Sequence, residues 1–237
     1  MFLARRALVL FRRPQSNTFR IIATSPPRID NRRSFHVSRV VFAMSSVDQT
    51  GSEPSFKSIG ITNTDIHKAP GVQLTPHQEV LVGSILDLFE GHPSLRHLSL
   101  WAPTATFQDP ITTAVGHDKF AAQWYGLTAL FSPITIQSHE VTSTGNPLSL
   151  KLSNKYVLKG LKTEKVMDSV VDIHVGPDGK IERVEDKWNG TLPQGAIATA
   201  FQKLNAVTVP AFVKVPKTQE EDDQMRADRA REAQTGS

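Results

Sequence analysis

The period of hydrophobicity changes once along this chain, at Pro133, and that change restricts the possible folds more than any other feature. Beyond it, Ile134 to Thr144, Leu148 to Lys159, Val166 to Val175 and Ile181 to Trp188 alternate with a period of two, the spacing of strands with distinct faces. The breaks between them hold Gly145-Asn146-Pro147, Gly160 and Gly176-Pro177-Asp178-Gly179, residues that supply the φ values of tight turns. Connections this short leave no room for a parallel crossover, so the four strands must form an antiparallel meander.

Before Pro133 the period is helical. Thr75-Pro76-His77-Gln78 has the spacing of a capping box, with proline at the first helical position, where a missing N–H costs nothing. Val80, Leu81, Ile85, Leu88 and Phe89 then form one apolar stripe, and the spacing predicts a helix to Gly91. Pro93 interrupts, and Leu95 to Trp101 reads as a second short helix. Ala105 to Gln108 reads as a strand ended by Asp109-Pro110, followed by a loop with Gly116. A third helix is predicted from about His117, on the spacing of Phe120, Ala121, Trp124, Leu127, Leu130 and Phe131. The folded domain is therefore assigned to residues 74–192. Residues 43–73, rich in Ser, Thr, Gly and Pro, read as a flexible linker. Residues 193–216 read as a helical extension carrying Ile197, Ala200, Phe201 and Leu204. The charged stretch 217–237 reads as a disordered or frayed helical tail.

Residues 1–42 contain nine arginines, no lysine and one acid, Asp30. Apolar residues between the cations allow a short basic amphipathic helix, the physical form of a mitochondrial transit peptide. Arg33-Ser34-Phe35-His36-Val37-Ser38 resembles the two-step processing signal of mitochondrial precursors and predicts cuts before Phe35 and before Ala43. The expected destination is the matrix. Of the 27 basic and 23 acidic residues, 18 and 22 remain beyond residue 42, so the mature protein is acidic and no nucleic-acid partner is expected. No window approaches the roughly 18 consecutive apolar residues of a spanning helix, so no transmembrane segment is expected. Cysteine is absent, which excludes disulfides and thiolate chemistry. The histidines lack helical ligand pairs, and neither metal nor cofactor is expected.

Helices, one short strand, a helix and then a meander make an α+β pattern. A strongly curved antiparallel sheet of four or five strands should wrap as a cone around the N-terminal helices, leaving a pocket at its open end. This order, with Trp101-Ala-Pro-Thr-Ala-Thr-Phe-Gln-Asp109-Pro110 and the run from Gly179-Lys180-Ile181 to Trp188, resembles the nuclear-transport-factor-two-like (NTF2-like) or SnoaL-like superfamily over about residues 75–192. In its ketosteroid isomerase branch, the Asp at the end of the first strand is a general base beside a carbonyl, and Asp109 matches it. That branch stabilises the enolate with a Tyr from the first helix and a protonated Asp from a late strand. Alignment places Ser84 or Ile85, and Val171, at those positions. The loss of one such donor typically lowers the rate about a hundred- to a thousandfold, so that oxyanion hole is missing.

In the dehydratase-type branch of the superfamily, histidines work with an Asp inside the cone. His139 on the first meander strand is the first candidate partner, with His97 and His117 near the mouth. Trp101, Phe107, Trp124, Tyr156, Val171 and Trp188 are expected to line an apolar ligand pocket. An outward Asp186 with Trp188 would serve a homodimer through the outer sheet face, where many superfamily members associate. A non-catalytic module that binds an apolar small molecule or a protein partner stands as the first reading. The alternative is an isomerase or lyase with Asp109 as base on a small apolar hydroxy-carbonyl substrate.

Overall fold

Chain order runs α1 (Phe56–Ile59), α2 (Pro76–Phe89), α3 (Leu95–Leu98), β1 (Trp101–Gln108), β2 (Thr113–Val115), α4 (His117–Leu130), β3 (Phe131–Thr144), β4 (Leu148–Leu158), β5 (Glu164–Val175), β6 (Ile181–Asn189), α5 (Gly195–Val207) and α6 (Gln219–Thr235). The computed structural model describes residues 53–190, 193–207 and 213–235. The address read from residues 1–42 lies outside the described residues.

Strands β3 to β6 pair antiparallel in sequence order, the meander that the short turns require. β1 lies parallel to β6 and β2 folds back on β1, so the sheet has six strands in the order β2-β1-β6-β5-β4-β3. β2 was read as loop because three residues are too few to display an alternation. β1 begins at Trp101, four residues earlier than expected, because Trp101 pairs with Ile181 ahead of a register shift. Irregularities between Ile136 and Ser138 and between Val141 and Ser143 bend the β3–β4 ladder and curve the sheet around the helices.

The capping box at α2 forms as its spacing predicts: Thr75 Oγ1 accepts from Gln78 N at 3.2 Å, and Gln78 Oε1 accepts from Thr75 N at 2.9 Å. α2 is buried from Val80 to Phe89 on every side, more than one apolar stripe would demand. What covers its second side is the stretch before it. Residues 53–73 are not a free linker over the described part: Ile59, Ile61 and Ile66 are buried in the core, and Lys68 bridges Val141 on β3. Gly83 makes this possible, since a Cβ there would stand 2.7 Å from the carbonyl oxygen of Asn63. Asp87, fully buried on α2, then accepts hydrogen bonds from Thr62 N, Thr62 Oγ1, Asn63 N and Asn63 Nδ2 at 2.8–2.9 Å, and from His97 Nε2 at 3.0 Å. Burial alone would raise its pKa, but these donors outweigh it and hold the carboxyl down to about 2.

The charged tail is also docked. In α6, Asp222 is fully buried, accepting from Tyr125 Oη on α4 at 2.7 Å and from Leu95 N at the start of α3 at 2.9 Å. Arg229 donates to Pro93 O at 3.2 Å and lies 5.8 Å from the centre of the Tyr125 ring. The expectation of a solvated tail is therefore corrected: one buried carboxylate, held by the Tyr125 hydroxyl and the Leu95 amide, anchors a helix that has no apolar stripe.

The outer face of the sheet does not carry the apolar patch expected of a dimer surface. Lys187 reaches Asp172 at 2.7 Å and Glu185 at 3.1 Å, Arg183 reaches Glu185 at 3.2 Å, and Lys151 reaches Glu140 at 3.4 Å. Among the described residues, no helix is long and apolar enough to cross a membrane.

Candidate active site

Alternation along β4 turns Leu150, Leu152, Asn154 and Tyr156 to the inner face of the curve, and along β6 it turns in Val184, Asp186 and Trp188. Against this wall stand Gln123, Trp124 and Leu127 of α4 and Phe89 at the end of α2, while α5 covers the opening with Phe201 and Leu204. The cavity between them has a volume of about 30 Å³. At about 10–15 Å³ per water, that is room for two or three. Aromatic rings dominate the walls: Phe107 and Phe89 pack on Trp124 with centroids 4.8 and 5.2 Å away.

Two carboxyls face this apolar space, and among the described residues no lysine, arginine or histidine lines it. Asp109 sits just past β1. Its Oδ1 accepts from Ile111 N at 2.8 Å, and its backbone closes a turn with Thr112, so the Asp-Pro step does the turn-forming work common to that dipeptide. The carboxyl still lines the cavity, and burial, outweighing the bonds from Ile111 and Thr112, raises its pKa above the ordinary 3.8. Asp186 is 6% exposed; its Oδ2 accepts from Trp188 Nε1 at 2.7 Å, and its Oδ1 has no hydrogen-bond partner. Burial, reinforced by the nearby Asp109, pushes Asp186 up to about 7. The Tyr156 hydroxyl is driven upward by burial and by Asp186, so it stays protonated at any working pH. Gln123 Oε1, Asn154 Oδ1 and Trp124 Nε1 are likewise buried without partners. A wall this rich in unsatisfied polar atoms is unusual in a folded core.

The predicted site residues separate into two groups. Asp109, Phe107, Trp124, Tyr156 and Trp188 meet at the cavity. Trp101 and Val171 do not line it: Trp101 stacks on Phe120 at 4.9 Å in the core behind Trp124, and Val171 is fully buried. His139 and His117 are also elsewhere. His139 stacks on His67 at 4.8 Å and accepts from His67 N at 3.1 Å, with burial and the neighbouring His67 lowering its pKa. His117 stands at the exposed start of α4 beside Asp118. Neither belongs to the cavity lining that contains Asp109. His97 lies in a buried Ser94–His97–Asp87 line with Ser94 Oγ 2.5 Å from Nδ1. All three are at most 1% exposed, and Ser94 Oγ also accepts from His97 N, so this array caps α3 and clamps residues 62–63.

Sequence reasoning missed Asp186, Asn154, Gln123 and Ser169. Their signal was available in part: Asn154 interrupts Leu150, Leu152 and Tyr156 in the inward phase of β4, and Asp186 falls in phase with Val184 and Trp188. The condition set for a dimer role, an outward Asp186, is not met: Asp186 lines the cavity together with Trp188. Asp186 is also paired across the ladder with Val171, the aligned position at which the superfamily's acid was missing. A carboxyl is thus present at the directly opposite position on the neighbouring strand.

Together, the fold and the cavity describe an α+β cone with an apolar interior faced by one buried acid, Asp186, and one half-buried acid, Asp109. No family model and no curated protein matches this sequence. Among solved structures the chain is similar to an NTF2-like protein of unknown function from Exiguobacterium sp. 255-15, with 15% identity over 47% of this chain and 99% of that one and a TM-score of 0.40. It is also similar to an NTF2-like protein of unknown function from Burkholderia pseudomallei K96243, with 12% identity, 53% and 97% coverage and a TM-score of 0.40. A hypothetical protein with a ketosteroid isomerase-like fold from Catenulispora acidiphila shows 15% identity, 45% and 82% coverage and a TM-score of 0.39. These are likenesses of fold.

Proposed function

We propose that the cavity moves a proton on a small, largely apolar hydroxy-carbonyl compound, with Asp109 as the base and Asp186 as the proton-bearing partner, in a protein addressed to the mitochondrion. The observation that carries this reading is the pair of carboxyls in one aromatic cavity with no cationic residue among the described residues of its lining. Two such groups avoid holding two charges by sharing a proton, and environments that separate their pKa values assign base and acid. The lower-pKa carboxylate, Asp109, takes a proton from the carbon beside the carbonyl. The electron pair moves onto the carbonyl oxygen, which accepts hydrogen bonds from the Asp186 carboxylic acid and the Tyr156 hydroxyl. Asp109 then returns the proton to the far carbon of a conjugated system, giving an isomerase. Where a hydroxyl stands one carbon further on, its departure as water with the proton of Asp186 gives a lyase. The oxyanion donors sought on α2 and β5 are replaced in this scheme by β6 and β4, which restores the alternative that sequence alignment had set behind simple binding.

The test is proton exchange at the carbon beside the carbonyl of cyclohex-3-enone in D2O, followed by NMR. The full chain should accelerate exchange, and Asp109→Asn should abolish the acceleration while the thermal melt stays cooperative. Because Asp186 must keep its proton, the rate should fall as pH rises through about 7. Binding of the ketone without any exchange above background would return the cavity to a non-catalytic binding role.

A further inference from the structure

The cavity is closed by a ring. Phe201 of α5 is 5% exposed and stands among three aromatic side chains, with centroid distances of 5.0 Å to Phe131, 5.6 Å to Tyr156 and 5.5 Å to Trp188. Trp188 is the residue whose indole N–H holds Asp186, and Tyr156 feels the charge of the same carboxyl. The Phe201 ring therefore rests on two side chains coupled to Asp186. With Leu204, it lines the covered side of a cavity of about 30 Å³.

α5 is held differently from the rest of the C-terminal region. Ile197, Ala200, Phe201 and Leu204 are its buried residues, and the side-chain hydrogen bond from Thr199 runs to Gly195 within the helix itself. Among the described residues, no hydrogen bond or ion pair ties an α5 side chain to α4 or to the sheet, whereas α6 is pinned by Asp222. Apolar packing is non-directional, so a group of similar shape can replace it without leaving a polar atom unpaired. Gly190 after β6 and Gly195 at the head of α5 both have positive φ, 106° and 65°, a backbone conformation that glycine adopts without steric cost.

We propose that α5 is a displaceable lid and that Phe201 keeps the place of a planar ring in the ligand. This rests on the reading of the cavity as a ligand site and narrows its substrate class to small molecules with one six-membered carbon ring bearing oxygen. The closed lid competes with the ligand, so the apparent affinity is reduced by the fraction of molecules that are open.

The experiment titrates the full chain, Phe201→Ala and Phe201→Leu with 4-nitrophenol, a single ring with a spectroscopically visible oxygen, and follows backbone amide exchange with and without it. Phe201→Ala should bind about tenfold more tightly than the natural chain, with Phe201→Leu between them, because the competing ring is gone. In the natural chain, binding should speed amide exchange from Ala196 to Leu204 while slowing it in β4 and β6. Equal affinity in all three proteins, or slower exchange in α5 on binding, would overturn the lid. If Phe201→Ala fails to fold, Phe201→Leu and the exchange pattern of the natural chain decide the matter alone. Loss of ketone exchange in Asp109→Asn with an unmoved α5 would reject the lid and keep the proton transfer. A displaced α5 with a catalytically indifferent Asp109 would do the reverse.

Discussion

Replacing Asp186 with asparagine should make the protein more stable at pH 8 and should do so through one titration. In the folded protein the carboxyl is pushed from 3.8 up to about 7 because burial disfavours its charged form. A folded-state pKa above the unfolded value means that the native protein holds a proton that the unfolded chain has released throughout the window between them. Stability therefore falls as pH rises from about 4 to about 7, and levels off above that. The gap is just over three pH units, at 1.36 kcal/mol each, so Asp186 costs the native state about 4 kcal/mol at pH 8 relative to pH 4. Asparagine keeps the shape and an oxygen for Trp188 Nε1, and it carries no charge to bury. Urea unfolding of the natural chain and of Asp186→Asn, measured at several values from pH 4.5 to 8, isolates this residue, because other titrations largely cancel in the difference. The two curves should converge near pH 4.5 and separate by a few kcal/mol at pH 8, with the variant above. Parallel curves would show that Asp186 is ionised in a solvated or paired environment, and the argument for an acid in the cavity would fail with them.

The docking of α6 gives a second test. Asp222→Ala leaves the buried Tyr125 Oη without an acceptor, at a cost of about 1–3 kcal/mol, and frees the half-buried Leu95 N. The penalty should be spent on releasing α6 rather than on unfolding the domain: amide exchange and proteolysis should accelerate from Gln219 onward while the main melt moves little, and a tail as protected as before would refute the anchor. At the other end of the chain, residues 1–50 fused to a fluorescent reporter should direct it to mitochondria, with residues 1–42 removed by a cut before Ala43. Replacement of Arg5, Arg6, Arg12 and Arg13 by glutamine should leave the reporter in the cytosol, and unchanged import would remove the basis for the address.

Local chemistry determined what the sequence could state alone. Thr75-Pro76-His77-Gln78 starts α2, since a cap is satisfied within four residues whatever the rest of the chain does. The turns after Thr144, Lys159 and Val175 leave β3 to β6 no arrangement but a meander, and the Asp109-Pro110 step ends β1 next to the cone. Tertiary structure decided the rest, because burial depends on what distant residues place opposite a side chain. A short parallel pairing of β1 with β6 has no local signature, and neither does the passage of residues 61–63 over Gly83. α6 reads as a solvated helix because its single buried acid is matched by donors 97 and 127 residues away. Asp186 shows the same limit at the site itself. Alternation puts it in phase with Trp188, but which face of β6 is inward was settled only when the meander curved around α2 and α4. That choice turned a surface charge into a buried acid beside Asp109.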